Sequence, residues 1–174
     1  MLNVGDLAPD FSLPSDRGDA VSLGSRKGRV TVLYFYPKDD TPGCTVEAQD
    51  FTRLAPAFAA LGVEVFGVSK DSVARHCRFR DKYGLGVALL SDETLAVQRA
   101  YGAYGEKTLY GKKIEGTLRS TFVIDAEGRI AARWSPVKVP GHAAAVLASL
   151  TKGEPSEAPA AAPKRRARAQ KSEP

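Results

Sequence analysis

The feature that most constrains the fold is a strand-sized stretch at residues 29–36, which is almost entirely β-branched or aromatic. It lacks the polar and apolar alternation of a strand with one face in water. Such a stretch is typical of a strand that is covered on both faces of a sheet, as in α/β proteins. It stops at Pro37, which has no N–H to donate to a neighbouring strand. The sequence therefore predicts a central strand in a layered α/β domain.

Strand-like and helix-like patterns alternate through the rest of residues 1–150. Asp71 or Ser72 is expected to cap the second helix, and Asp92 the third. This order predicts one α/β domain with a central mixed β-sheet flanked by helices. The other predicted strands are 11–13, 21–23, 63–68, 87–90, 121–125 and 129–134, and the predicted helices are 44–61, 72–83, 92–101 and 141–151.

The composition is that of an ordinary globular chain, with 43% hydrophobic and 26% charged residues. No stretch approaches the ~20 apolar residues that span a bilayer, and the first residues do not resemble a signal peptide. Two cysteines are too few for a secreted disulfide scaffold. We therefore expect a protein of the reducing cytoplasm, with no membrane partner.

Residues 151–174 differ from the rest of the chain. They hold six of the 25 Lys and Arg residues but no Val, Ile, Leu, Phe, Tyr or Trp. A segment of this kind cannot bury enough apolar surface to order itself, so we predict a domain over 1–150 and a disordered basic tail over 151–174. The basic cluster at 164–168 could contact nucleic acid or another polyanion. A solubilising role is favoured, because no aromatic residue is available to stack on a base.

The segment that carries chemistry places Cys44 at the start of an amphipathic helix, after the buried strand and a polar turn. Unpaired N–H groups and the helix macrodipole in a first helical turn favour thiolate over thiol. The hydroxyl of Thr41 can reach the sulfur or an oxygen bound beside it. A cysteine near a helix start can also be a small buried hydrophobe. Cys44, however, follows the C-terminal end of a strand in an α/β sheet, which is where ligands bind. This position favours a reactive thiol.

Other chemistries fit the spacing poorly. Residue 47 is Glu, so the second cysteine of a thioredoxin-type dithiol is missing. A zinc site made from Cys44, Cys77, His76 and His142 would spread its ligands over about 100 residues, which matches no structural zinc pattern. Neither histidine lies in a motif that supports a Cys-His protease pair. No metal or other cofactor is predicted, and His142 is expected to be a surface residue at a helix start.

The motif Pro37-x-x-x-Thr41-x-x-Cys44 resembles the active-site signature of the peroxiredoxins. The fuller string around it resembles the subfamily called bacterioferritin comigratory protein, or peroxiredoxin Q. The similarity runs along most of residues 1–150 and leaves out the tail. It implies a thioredoxin-like fold and an antioxidant thiol peroxidase that needs no cofactor and reduces hydrogen peroxide and organic hydroperoxides.

The resemblance also implies roles for individual residues. Cys44 matches the peroxidatic cysteine, and Thr41 the threonine that hydrogen-bonds the peroxide. Pro37 matches the proline that shields the pocket, and Arg119 the distal arginine. As the O–O bond breaks, Arg119, the Thr41 hydroxyl and the N–H groups of Gly43 and Cys44 would stabilise the charge on the leaving oxygen. Without the resemblance, Arg119 would be read as an exposed charge at a strand start.

The sequence departs from the resemblance at the resolving cysteine. Some relatives carry it five residues after the first cysteine, where this chain has Gln49. Others carry it on the helix after the second strand, at a position that corresponds to Arg80. Cys77 lies one helical turn earlier and is expected to resolve the sulfenic acid. If Cys77 is instead a buried structural thiol, the chain is a one-Cys enzyme that needs an external thiol.

The expected partners are a peroxide and thioredoxin or a similar thiol reductant, and the expected assembly is a monomer or a weak homodimer. A different function class stays open at this point. In it, a peroxiredoxin-like module carries the basic tail of residues 151–174 to nucleic acid.

Overall fold

The computed structural model of the chain describes residues 2–151 and the backbone of residues 156–157. The prediction of a disordered tail falls mainly on residues 152–155 and 158–174, which lie outside the described residues, and it stays a prediction. The strands and helices are β1 (Ser12–Pro14), β2 (Ala20–Ser22), β3 (Val30–Phe35), α1 (Pro42–Ala60), β4 (Val63–Ser69), α2 (Val73–Tyr83), β5 (Ala88–Ser91), α3 (Ala96–Ala100), β6 (Tyr104–Leu109), β7 (Lys112–Thr117), β8 (Ser120–Ile124), β9 (Ile130–Trp134), α4 (His142–Thr151) and β10 (Ser156–Glu157).

A six-stranded sheet with the order β10-β9-β8-β3-β4-β5 forms the centre of the fold. Strands β3, β4 and β5 run parallel, whereas β8 is antiparallel to both β3 and β9. The predicted mixed sheet is therefore confirmed. Because β3 and β4 are parallel, the loops that follow them leave the sheet at the same edge. One of these loops leads into α1 and the other into α2.

The predicted central strand is β3, and its side chains enter two separate apolar cores. Val32 and Tyr34 pack with residues of α1, α2 and α4, whereas Leu33 and Phe35 pack on the opposite face with residues of β1, β2 and α3. All four are buried. This two-sided burial explains why the strand shows no alternation in the sequence.

The ring of Tyr34 occupies space that a glycine leaves free on the neighbouring strand. Tyr34 and Gly67 are paired in the register of β3 and β4. A Cβ atom at position 67 would stand 2.6 Å from Cζ of Tyr34, which is closer than real Cβ contacts. The ring then stacks on Phe51 of α1 with 4.6 Å between centroids. Gly67 therefore allows the ring to lie flat between the sheet and the helix that begins with the cysteine segment.

The third helix is shorter than predicted. It spans Ala96–Ala100 rather than 92–101, because Leu95 turns the chain in a left-handed conformation with φ of 68°. Asp92 still caps this helix, but from across the turn: its carboxylate accepts hydrogen bonds from the N–H groups of Val97 and Gln98 at 3.3 and 2.9 Å. The sequence identified the capping side chain and misplaced the helix start.

The hairpin of β6 and β7 was not predicted. Its strands are largely exposed and lack an apolar alternation that would reveal them. The two-residue loop Tyr110-Gly111 has positive φ at both positions, 53° and 78°, as a type I′ hairpin turn requires. None of the helices in the part of the chain that the structure describes is long and apolar enough to cross a membrane.

His142 begins α4 as expected, but the expectation of a surface position is wrong. The side chain is buried and stands edge-on to the rings of Phe51 and Trp134, with centroids 6.0 and 5.6 Å away. Its Nε2 lies 2.7 Å from the hydroxyl of Thr121. Burial lowers the pKa of His142 to about 4, and the charge of Arg119 adds to the shift. A residue at a helix start can thus be interior when neighbouring elements, here α1, β8 and β9, cover it.

Candidate active site

Cys44 lies in the first turn of α1, where the sequence placed it. Thr41 is the N-cap residue and Pro42 the first helical residue. The first backbone hydrogen bond of the helix is donated by the amide of Thr45 to the Thr41 carbonyl at 2.8 Å. The N–H groups of Gly43 and Cys44 precede this bond, as the first donors of every helix do. The helix start therefore presents donors and a positive dipole end beside the sulfur.

The thiol of Cys44 is buried, with 1% of the residue exposed, and it packs in the same core as Tyr34 and Tyr36. Burial alone would agree with a small structural hydrophobe. The guanidinium of Arg119 distinguishes the two possibilities, because its Nη2 lies 3.3 Å from the sulfur. A structural thiol in an apolar core has no need of a cation at hydrogen-bond distance.

Arg119 lies between β7 and β8, and its side chain is only 19% exposed. It is therefore not the exposed strand-start charge that it would be in isolation. Its Nη1 donates to Oε1 of Glu47 at 2.5 Å. Burial opposes the charged form, but Glu47 and the Cys44 sulfur outweigh it and raise the pKa of Arg119. The guanidinium thus stays charged next to the thiol.

Gly43 lies directly against this guanidinium. A Cβ atom at position 43 would stand 3.4 Å from Nη2 of Arg119. Such a distance is the close end of ordinary van der Waals contact, so a methyl group here would touch the arginine. Gly43 therefore lies in the first turn of α1 within contact distance of the guanidinium.

Glu47 was not predicted as a site residue, although it lies three residues after Cys44 and so on the same side of the helix. Its side chain is 1% exposed. Its Oε2 has no hydrogen-bond partner among the described residues. Burial raises the pKa of Glu47 to about 7, against the opposing effect of Arg119. A glutamate on the buried face of an amphipathic helix was the signal that could have identified it.

Thr41 and Pro37 are both partly exposed in the segment before α1. The hydroxyl of Thr41 donates to the carbonyl of Lys38 at 2.9 Å, so it turns into the loop rather than onto the sulfur. Since a hydroxyl has two acceptor lone pairs besides its hydrogen, Thr41 can still accept a hydrogen bond from a bound hydroperoxide.

Cys77 is half-buried on α2, and its environment differs from that of Cys44. Both cysteines are free thiols. The sulfur of Cys77 lies 3.6 Å from the carbonyl oxygen of Asp16, in the loop between β1 and β2. Nη1 of Arg80 donates to the same oxygen at 2.6 Å. Cys77 and Arg80, one helical turn apart, thus face the same loop, and the structure does not bring Cys77 to the Cys44 site.

Comparisons with known proteins agree with this site. The profile of the AhpC/TSA family matches residues 4–133. A putative peroxiredoxin bcp of Coxiella burnetii is 49% identical over 149 residues, which cover 86% of this chain and 99% of that protein. The peroxiredoxin Bcp of Bacillus subtilis is 44% identical, with coverages of 86% and 95%.

A solved structure extends the agreement to three dimensions. The bacterioferritin comigratory protein of Xanthomonas campestris, described for its alkyl peroxide reduction activity, superposes with a TM-score of 0.80. It is 42% identical and the match covers 88% of this chain and 98% of that one. The predicted thioredoxin-like fold is confirmed. The chain therefore belongs to the AhpC/TSA family, as a peroxiredoxin, a thiol peroxidase, of the Bcp or peroxiredoxin Q type.

Proposed function

We propose that the chain reduces hydrogen peroxide and organic hydroperoxides, with the thiolate of Cys44 as nucleophile. The observation that carries the proposal is the 3.3 Å contact between Nη2 of Arg119 and the Cys44 sulfur. A cation at this distance favours thiolate over thiol. Organic hydroperoxides are included because the Xanthomonas campestris relative is described by its alkyl peroxide reduction.

In the proposed reaction, the thiolate attacks the terminal oxygen of the peroxide. An S–O bond forms and the O–O bond breaks, so that sulfur is oxidised to sulfenic acid and the peroxide is reduced. The leaving oxygen takes the electron pair of the O–O bond and the proton that the thiol gave up, and it departs as water or an alcohol. Arg119 and the first-turn N–H of Gly43 would stabilise the developing charge. Thr41 would accept the hydrogen bond of the peroxide, and Pro37 would shield the pocket.

Recycling is proposed to run through Cys77. Its thiolate would attack the sulfenic sulfur of Cys44, release water and form a disulfide, which a thioredoxin-type dithiol would then reduce. Partial exposure of Cys77 supports this role, because a resolving thiol must be reachable. Resolution within one chain requires no partner copy, in keeping with a monomer or a weak homodimer. The proposed compartment is a reducing cytoplasm, where such reductants keep thiols reduced.

The test is peroxide consumption by the purified chain with thioredoxin, thioredoxin reductase and NADPH, using hydrogen peroxide and cumene hydroperoxide in turn. Cys44→Ser is expected to abolish consumption of both while leaving the melting temperature unchanged, because only Cys44 combines a sulfur with a cation and a helix start. A conservative substitution away from the site, Ser149→Ala at a half-buried position on α4, serves as control. Substantial turnover by Cys44→Ser would contradict the proposal.

A further inference from the structure

We propose that Asp39 and His76 are positioning residues: a buried ion pair between them holds the loop that presents Thr41 and Cys44 to the peroxide. The inference rests on the proposed function. It adds to that function residues that lie outside the pair of Cys44 and Arg119. The loop in question is residues 37–41, between β3 and α1, and the element that holds it is α2.

His76 is fully buried on α2 and hydrogen-bonded through both ring nitrogens. Its Nδ1 lies 2.7 Å from Oδ2 of Asp39, and its Nε2 lies 2.9 Å from the carbonyl oxygen of Leu90 in β5. A carboxylate and a carbonyl only accept hydrogen bonds, so both nitrogens must donate and the ring is an imidazolium. Although burial lowers the pKa of His76, the bond and charge of Asp39 raise it overall.

Asp39 is in turn hydrogen-bonded to two other parts of the fold, the end of β3 and the start of α2. Its Oδ1 accepts a hydrogen bond from the hydroxyl of Tyr36 at 2.6 Å. Its own N–H donates to Oδ2 of Asp71 at 2.8 Å, at the junction of β4 and α2. The hydroxyl of Ser69 holds the same Asp71 oxygen at 2.7 Å. A residue of the loop is thus fixed through both its side chain and its backbone.

The next residue, Asp40, ties the loop to the other end of α2. Its carboxylate accepts hydrogen bonds from Nζ of Lys82 at 2.9 Å and from the hydroxyl of Tyr83 at 2.8 Å. Asp40 is in the left-handed region with φ of 62°, which costs energy for a residue with a Cβ. Such a conformation persists where the surroundings hold it in place. Two consecutive residues are therefore attached to opposite ends of α2, immediately before the N-cap residue Thr41.

This arrangement lets α2 determine how the chain enters α1, and with it where Thr41 stands relative to the Cys44 sulfur. A buried ion pair contributes little net stability compared with a neutral replacement of similar shape. Catalysis, in contrast, is sensitive to displacements of about 1 Å, which can cost 10²-fold in rate. The pair is therefore expected to matter more to the peroxide reaction than to the simple availability of the thiol.

The experiment compares two rates of Cys44 on the same protein in stopped flow: oxidation by hydrogen peroxide, and alkylation by iodoacetamide. Alkylation needs the thiolate but not the alignment of the O–O bond. We expect His76→Phe and Asp39→Ala each to lower the peroxide rate by about 10-fold to 100-fold. Both are made in the full chain carrying Cys77→Ser, so that only the Cys44 thiol contributes to the measured rates. The alkylation rate is expected to stay within about twofold of that of the chain without the loop substitution. Asp39→Asn can keep both side-chain hydrogen bonds, so it is expected to lower the peroxide rate several-fold less than Asp39→Ala does.

Arg53→Ala, which removes the exposed ion pair of Arg53 with Asp50 on α1, is the matched control. If a buried variant does not fold, Asp40→Gly carries the test, since it removes the attachment to Lys82 and Tyr83 and relieves the left-handed conformation. Peroxide rates equal to the control, or losses equal to those in alkylation, would overturn the inference. A chain that fails to react with peroxide before any loop substitution would contradict the proposed function instead.

Discussion

Arg119 bridges Cys44 and Glu47 through different nitrogens of one guanidinium, with Nη2 at 3.3 Å from the sulfur and Nη1 at 2.5 Å from Oε1. Because a guanidinium is planar, the bond to Glu47 orients the nitrogen that faces the thiol. The carboxylate also offsets part of the positive charge that the thiol meets. Glu47 is therefore expected to influence both the position of the arginine and the strength of its field.

Replacement of Arg119 by alanine is expected to slow oxidation of Cys44 by peroxide by about 10²-fold or more, which is the scale of losing one donor to a developing oxyanion. Arg119→Lys, which keeps the charge but not the fork, is expected to recover only part of the rate. Stopped-flow measurement of the second-order rate constant checks both. Rates near that of the unmodified chain for Arg119→Ala would mean that the contact has no catalytic role.

Glu47 is expected to make the fold less stable as the pH rises. Its pKa of about 7 lies above the ordinary 4.5, so the folded state binds this proton more tightly than the unfolded state between these values. The free energy of unfolding therefore falls through this window, by roughly 3 kcal/mol for this group. The free energy of unfolding of Glu47→Gln, measured relative to the unmodified chain, is expected to be higher at pH 8 than at pH 4.5. Urea denaturation at the two pH values measures the difference, and an equal effect at both would contradict it.

His142 is expected to act in the opposite direction. Its pKa of about 4 lies below the ordinary 6.5, so the unfolded state takes up this proton first as the pH falls. Stability is lost between pH 6.5 and 4, again by roughly 3 kcal/mol. In the unmodified chain the two slopes largely offset each other. His142→Phe is expected to steepen the decline of stability toward high pH, whereas Glu47→Gln is expected to expose the decline toward low pH.

Cys77→Ser is expected to reduce turnover sharply with thioredoxin as reductant and to drive Cys44 toward sulfinic acid, because the sulfenic acid loses its intramolecular partner. Since disulfides form only when the two Cα atoms come within about 7 Å, and Cys44 is buried, the first turn of α1 is expected to open. Hydrogen exchange in residues 43–47 should then rise on oxidation.

A second substitution tests the position of the resolving thiol. Arg80→Cys, added to Cys77→Ser, places a thiol one helical turn later and facing the same loop, and it is expected to restore a disulfide with Cys44. Mass spectrometry of digested, oxidised protein detects either link. Unchanged turnover of Cys77→Ser, with no intramolecular link in the unmodified chain, would make this a one-Cys enzyme.

The sequence predicted the local parts of the fold well and the long-range contacts poorly. The buried strand β3, the helix with Cys44 in its first turn and the cap of α2 follow from nearby residues. The cap is confirmed by the bond from the Arg75 amide to the Ser72 hydroxyl. Arg119 lies 75 positions from Cys44, so only the resemblance to peroxiredoxins connected them.

The sequence also did not predict which charged residues are buried. Asp39 and His76 are 37 residues apart, and neither shows in the sequence that it will be interior, because charged residues are usually exposed. Glu47 differs in part, because its place on the apolar face of α1 can be read from the sequence, whereas its partner Arg119 cannot. Each is stabilised by a partner that only the packed α/β layers bring close, so periodicity and spacing carry no signal for the pairing.

The pairing of Tyr34 with Gly67 has a consequence for how sequences of this kind can diverge. The ring of Tyr34 supports Phe51 on α1 and needs the space above a residue without a Cβ. A mutation at either position alone therefore creates a clash or a void, whereas a paired mutation can keep the volume constant. Positions 34 and 67 are expected to covary during evolution, with alanine at 67 accepted only where a side chain smaller than tyrosine stands at 34.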